Sequence, residues 1–456
     1  MIAGFAEREY TPAEGVVPGQ IKKLYAKGQY TPLMAHVAIL EAEAGSAVFI
    51  SLDLLFASNE FATKIRKQTS EITGVPYENI MFTCTHTHTG CGMDCDVWEY
   101  TAEPERMAVI EEKTIEAVKA ANANKTEIKL GAGVGYDQRY HFCRDFYTVE
   151  GFIEMNPSRK DRHRLVKPFA AIDHSVNVLR FDDMDGNAKC FIVNYANHLD
   201  TCPSKELFGA DFPGFIRLEL KKEYGDDVTV LFLNGCCANI NHYDYMNGYD
   251  KTAHTKEGAF PPEVIGKGLA DTIKNICPPL VTNEKEVNVQ GASRMHFTTR
   301  RRATAEQKEW AKSYLESVKN GEREPNIKRN VLAELYLSDT ESSSKTMDLE
   351  IQVIQVGNWA FVGLPGEIYS DIGLKIKANS PFANTVVVEI ANGYNGYVAP
   401  DVALRASCYE TTYSTVSYTG YGTDKVIIDG ATNMLNALFD ADNVKIFGKV
   451  KENVTK

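Results

Sequence analysis

Apolar runs rich in Val, Ile and Phe alternate along this chain with longer amphipathic segments, the pattern of strands joined by helices in an α/β protein. Residues 46–55 read as a buried strand, 59–73 carry helical spacing and stop before Gly74, and 79–83 form the next strand. A long polar-faced helix is expected over 103–125. Strands follow near 127–133, 176–181, 190–195 and 228–233, with helices near 212–224 and 262–276. From Val287 onward the character changes to a strand, a charged helix near 305–320 and a basic, polar stretch over 322–330, and 299–345 reads as an excursion or lid. Residues 346–363 alternate like a β-hairpin around Gly357-Asn358, a good turn pair, and run into Leu364-Pro365-Gly366-Glu367, where another helix starts. A strand over 385–390, a loop dense in Gly, Asn and Tyr, and a final helix near 423–439 complete the chain, without internal repeats.

Composition narrows the function. With 61 acidic against 49 basic residues the formal charge is −12, which opposes any large contact with phosphate backbones or anionic lipid surfaces. Nucleic acid is excluded as a partner, a small-molecule substrate is expected, and self-association into a homo-oligomer stays open. The first residues turn charged at once and lack the pattern of a signal peptide. No apolar stretch is long enough for a spanning helix, so no stable membrane insertion and a cytoplasmic location are expected. The ten cysteines then read as reduced thiols rather than a disulfide framework.

Candidate chemistry centres on Thr85-His86-Thr87-His88-Thr89-Gly90, where an apolar run ends in small polar residues. In an extended segment residues i and i+2 point to the same side, so His86 and His88 can face one centre, and neutral imidazole is a usual zinc ligand. Zinc needs further ligands from elsewhere in the chain. Asp53, His198 and Asn234 also stand at strand ends, where open α/β sheets gather functional groups. Cys84, Cys91 and Cys95 flank the histidine pair and Cys236 and Cys237 are adjacent, which raises thiol ligation or thiol catalysis; burial as inert thiols is the stronger reading.

Six stretches together resemble the catalytic domain of the neutral ceramidase family: Leu33-Met34-Ala35-His36-Val37, Ser51-Leu52-Asp53, the 85–90 motif, Asn197-His198, Pro365-Gly366-Glu367 and the 397–409 loop. Their order matches as well, and Gly4-Phe5-Ala6-Glu7-Arg8-Glu9-Tyr10-Thr11-Pro12 is similar to that family's opening. The resemblance implies one catalytic domain over 1–456, built of mixed β-sheets layered with helices; because the chain ends soon after its last helix, the β-sandwich that follows the catalytic domain in full-length ceramidases is expected to be missing. It also implies one zinc ion held by His86, His198, Glu367 and Tyr397, with His88 beside the metal in a substrate-facing role. Tyr409 follows Tyr397 by twelve residues, as a second tyrosine does in the family, and Arg139 looks like the arginine that binds the polar part of the substrate.

The chain departs from the family at Ala238-Asn239-Ile240-Asn241-His242, where a Gly-Asp-Val-Ser-Pro-Asn stretch would place a serine near the metal. Asn239 and Asn241 cannot replace that serine as nucleophile, whereas attack by metal-activated water needs no side-chain hydroxyl. The leading expectation is therefore a zinc-dependent hydrolase opening an amide-type bond of a small polar N-acyl substrate. In it His88 shuttles a proton, Tyr397 steadies an oxyanion, Arg139, Asn241 and Tyr409 bind substrate, and Asp53 fixes a histidine tautomer. Tyr, Thr and Ser in the 397–418 segment motivate an alternative, a metal-dependent hydrolase or lyase on a carbohydrate or polyol derivative. A non-catalytic binding protein is the third reading.

Overall fold

The strand Gly45–Leu52 shows how the sheets are built: Val48, Ile50 and Leu52 face one side, Ala47 and Phe49 the other, and all five are fully buried. Burial on both faces explains why such strands read as unbroken apolar runs. A computed structural model describes residues 1–18, 23–95, 102–246, 260–277, 287–406 and 408–454.

Three larger sheets organise the described chain. The first runs in the order Ile80–Cys84, Gly45–Leu52, Met34–Ala42, Ile2–Glu9 and Thr126–Glu127. The second orders Thr229–Asn234, Ala188–Tyr195, Ser175–Asp182 and Lys129–Tyr136, and the third Val289–Thr299, Thr346–Val356, Trp359–Gly363 and Asn384–Val388. Phe49, Met81, Phe181, Ile192, Leu233, Phe361 and Val388 meet in one core shared by all three. Helices cover the outer faces: Asn59–Thr73 and Pro104–Ala123 on the first sheet, Phe212–Tyr224 and Pro262–Ile276 on the second, Ser370–Asn379 and Thr423–Val454 on the third. This is the layered mixed α/β arrangement expected from the sequence. Among the described residues no helix is long and apolar enough to cross a membrane.

Each sheet contains one parallel pair joined through a crossover helix. Helix Asn59–Thr73, for example, is started by Ser58, whose hydroxyl accepts the Phe61 N–H, and ended by left-handed Gly74. The carboxyl ends of these pairs converge, knitted by backbone bonds such as Cys84 N to Ile390 O (3.3 Å), Ile390 N to Gly366 O (3.1 Å) and Glu389 N to Asn234 O (3.0 Å). The candidate residues His86, His198 and Glu367 thus come together on a rim shared by three sheets.

Two segments differ from expectation. Asn79 belongs to the 3-10 turn Tyr77–Asn79, with the strand starting at Ile80. The polar stretch over 322–330 runs into a second helix, Ile327–Ser338, which pairs with Ala305–Lys319 as a helical hairpin. That excursion is fastened to the tyrosine loop. Arg301 donates to the carbonyls of Thr411, Ser417 (3.0 Å) and Thr419 (2.8 Å), and Tyr336 stacks on Tyr413 while its hydroxyl donates to the Tyr413 carbonyl.

Candidate metal centre

His86 stands just past the strand Ile80–Cys84, where the Thr85 N–H donates to the Leu52 carbonyl and the His86 N–H to the Leu54 carbonyl, both at 2.9 Å. Its φ of 75° is a conformation that non-glycine residues adopt rarely and that collects at functional sites. Nδ1 lies 2.9 Å from the Leu55 carbonyl; donating there leaves the Nε2 lone pair free to face the centre. His198 follows the strand Ala188–Tyr195 and sets its Nδ1 3.4 Å from the Cys237 carbonyl in the same sense.

Glu367 comes from Pro365-Gly366-Glu367, and Gly366 is required there: at φ 140° an added Cβ would sit 2.4 Å from the Gly396 carbonyl oxygen. That close approach lets Glu367 and Tyr397 pair in a short parallel ladder. One Glu367 oxygen accepts the Tyr394 hydroxyl at 2.8 Å; the other faces His86 Nε2 at 3.3 Å and His198 Nε2 at 3.9 Å.

The nitrogens that His86, His88 and His198 offer lie within 4.8 Å of one another. His86 Nε2, Glu367 Oε2 and both ring nitrogens of His88 are buried without a hydrogen-bond partner among the described residues. Buried polar groups in proteins are paired in the large majority of cases, so four unpartnered atoms gathered at one place, each able to ligate a metal, fit a divalent cation. Two imidazoles and a carboxylate form a known catalytic zinc set, and the Leu55 and Cys237 carbonyls with the Tyr394 hydroxyl supply the outer contacts that orient such ligands.

Charge is distributed unevenly. Burial opposes ionisation of Glu367, but the His86 imidazole and hydrogen bonds from Tyr397 and Tyr394 outweigh it and hold the carboxyl at about 2. For His86 burial is likewise overcome by the Glu367 charge, and its pKa rises. Burial, reinforced by Arg144 and the neighbouring imidazoles, pushes His198 well down, and burial takes His88 to about 4 against the pull of Asp200. The Tyr397 phenol is raised by burial and by Glu367, so it stays protonated.

Not every residue singled out in the sequence reaches this centre. Tyr409 does come close, its half-buried ring edge-on to Tyr397 with centroids 5.9 Å apart. Arg139 does not: its side chain is 54% exposed, pairs with Asp137 and bonds Gly268 and Thr272 on the helix Pro262–Ile276. The arginine at the centre is Arg144, five positions on, buried with Nη2 3.4 Å from the Tyr397 hydroxyl and Nε 2.7 Å from Glu410. Among the described residues Asp53 bonds no histidine either. Its carboxylate grips Arg217 at 2.8 and 3.2 Å and takes the Met34 N–H and the Thr85 hydroxyl, which steadies the backbone ahead of His86. Asn241 donates to the Asn156 side chain and accepts the His242 N–H, and Asn239 accepts the Ser370 N–H, so both side chains already have partners within the protein. Cys237 is fully buried behind His198, its thiol raised well up by burial and donated to Glu389.

Sequence reasoning missed Arg144, Tyr394 and Glu389. A Tyr three positions before Tyr397 was the one signal for Tyr394, and Arg144-Asp145 was the one for Arg144.

No family model matches the chain, and no curated protein matches it. Among solved structures, the neutral ceramidase from Pseudomonas aeruginosa aligns over 96% of this chain and 74% of that one, with a TM-score of 0.69 and 18% identity. A ceramidase complexed with C2 aligns over 96% of this chain and 75% of its own, with a TM-score of 0.69 and 17% identity. The resemblance first read in six short stretches of sequence extends to the architecture: this chain has the fold of the neutral ceramidase structures.

Proposed function

We propose that this chain is a metal-dependent hydrolase that opens an amide-type C–N bond in a small, polar N-acyl compound. One observation carries the reading: His86 Nε2 and Glu367 Oε2, buried and without hydrogen-bond partners among the described residues, converge with His198 Nε2 on one point. The likeness to ceramidase structures supports it, since those proteins share the fold that brings the three segments together.

His86, His198 and Glu367 would hold the ion, zinc being the best match to that donor set, and Tyr397 stands beside them. Such an ion supplies Lewis acidity, which polarises a carbonyl and acidifies water at neutral pH. His88, neutral at pH 7 with both nitrogens available, accepts the proton released by attack and returns it to the departing amine. The Tyr397 hydroxyl donates to the oxyanion as it develops, and Arg144 at 3.4 Å orients that hydroxyl. Tyr409 offers its ring to the substrate next to Tyr397.

The loss of the family's serine does not weaken this scheme, because no step needs a side-chain nucleophile. Two tyrosines of the 397–418 segment are engaged away from the centre, Tyr413 packing on Tyr336 and Tyr418 lying under the Arg300 guanidinium, while Tyr397 and Tyr409 stay beside it; a carbohydrate or polyol derivative is the alternative substrate class that a substrate screen separates.

A substrate screen on metal-loaded protein tests the proposal. Release of amine from N-acyl amino compounds, abolished by a chelator and restored by zinc, is expected. Metal-dependent turnover of glycosides with none of amides would overturn it.

A further inference from the structure

Glu389 lies outside the ligand set, yet every ligand-bearing segment is tied to it. It is fully buried at the end of the strand Asn384–Val388. One carboxylate oxygen accepts two backbone N–H groups, from Cys237 at 3.0 Å and from Ile368 at 2.9 Å, and the other accepts the Cys237 thiol at 2.8 Å. Ile368 directly follows Glu367, and Cys237 supplies the carbonyl that faces His198 Nδ1. The Glu389 backbone completes the knot: its carbonyl accepts the Thr83 hydroxyl at 3.2 Å, in the strand that leads to His86, and its N–H donates to Asn234 at 3.0 Å. Ile390, the next residue, is β-branched with φ at 50°, a strained conformation that needs the surrounding contacts to persist.

We propose that Glu389 is the positioning residue of the metal centre, a single carboxylate that sets the spacing of His198 and Glu367 by holding the backbone behind both. The proposal rests on the reading of His86, His198 and Glu367 as metal ligands. A buried carboxylate accepting two N–H groups and a thiol is a rigid three-point clamp, since removing it strands two buried donors at once. The segments it joins are remote in sequence; Asn234 also links Thr85 to Asn197, and Asn239 also links to Ser370, but each does so through a neutral amide, whereas Glu389 places one carboxylate directly behind both Glu367 and the carbonyl that faces His198.

The test is zinc affinity by chelator competition, together with the visible absorption bands of the cobalt-substituted protein, which report ligand geometry independently of any turnover. Glu389→Ala is expected to weaken zinc binding roughly 10- to 100-fold and to shift the cobalt bands, as loss of an outer-shell partner does. Glu389→Gln is expected to stay near wild type, because its amide oxygen can take both N–H groups while its NH2 turns to the Cys237 sulfur. Should the alanine variant fail to fold, Glu389→Asp decides: one methylene shorter, it cannot reach both N–H groups and should bind as weakly as alanine. Glu350→Ala, which removes the partner of buried Arg66, controls for general destabilisation and should leave zinc affinity unchanged. Unchanged affinity and bands in the Ala or Asp variant, or an equal loss in Gln or in the Glu350 control, overturns the proposal. Wild-type protein that binds no divalent ion overturns the ligand reading itself, and with it this inference.

Discussion

Glu367 and Tyr397 face each other as register partners in a two-residue parallel ladder, with Glu367 N donating to the Gly396 carbonyl and Tyr369 N to that of Val398, both at 3.0 Å. Backbone pairing therefore sets a carboxylate and a phenol side by side, thirty positions apart in sequence. Tyr397→Phe should keep its ion, because the histidines and Glu367 remain. The variant should lose roughly 10²- to 10³-fold in kcat, the size seen when one oxyanion donor is removed. Metal analysis beside steady-state kinetics checks this; loss of the ion would make Tyr397 a ligand first.

The two arginines should separate cleanly. Arg144 is buried against Glu410, so Arg144→Ala leaves a buried charge unpaired and should cost about 3–5 kcal/mol in urea unfolding. Arg139 is largely exposed, and Arg139→Ala should cost no more than about 1 kcal/mol and leave kcat/KM close to wild type. A large activity loss confined to the Arg139 variant would reverse the assignment.

Much of the candidate site was legible because its signals are local. The His86-x-His88 pair after an apolar run, the Pro-Gly-Glu turn and the Tyr397 to Tyr409 spacing each lie within a dozen or so residues. Arg139 and Arg144 could not be told apart that way, since only the path after the strand Lys129–Tyr136 decides which of them turns inward. Asp53 was read as a partner of histidine because its true partner, Arg217, is 164 positions away. Glu389 stands at the end of an expected strand, but its importance comes from three sheets meeting there, and periodicity reveals strands without their pairing.

The excursion over 299–345 should behave as a brace. Arg301→Ala removes bonds from a guanidinium to three loop carbonyls and should lower the melting temperature, each charged hydrogen bond contributing about 1.5–3 kcal/mol. Because that loop carries Tyr409, KM should rise more than kcat falls. An unchanged KM would show that the brace does not reach the substrate.

Metal binding should depend on pH with a definite sign. The Glu367 carboxylate, overcoming burial, raises the pKa of His86 in the metal-free protein, so proton and ion compete for the same imidazole nitrogen. Affinity should therefore rise with pH, and calorimetry in two buffers of different ionisation enthalpy should show proton release at pH 7. The metal-free protein should respond oppositely in stability. The raised folded pKa stabilises fully below the unfolded value of 6.5, and that contribution disappears as pH climbs through the raised value.

The most direct measurement is the metal content of His198→Ala against wild type, by elemental analysis of folded protein with turnover recorded in parallel. Wild type should carry a single divalent ion per chain, and the variant should hold far less and turn over no substrate. A folded variant that keeps its ion at the wild-type level and reacts at an unchanged rate would contradict the account.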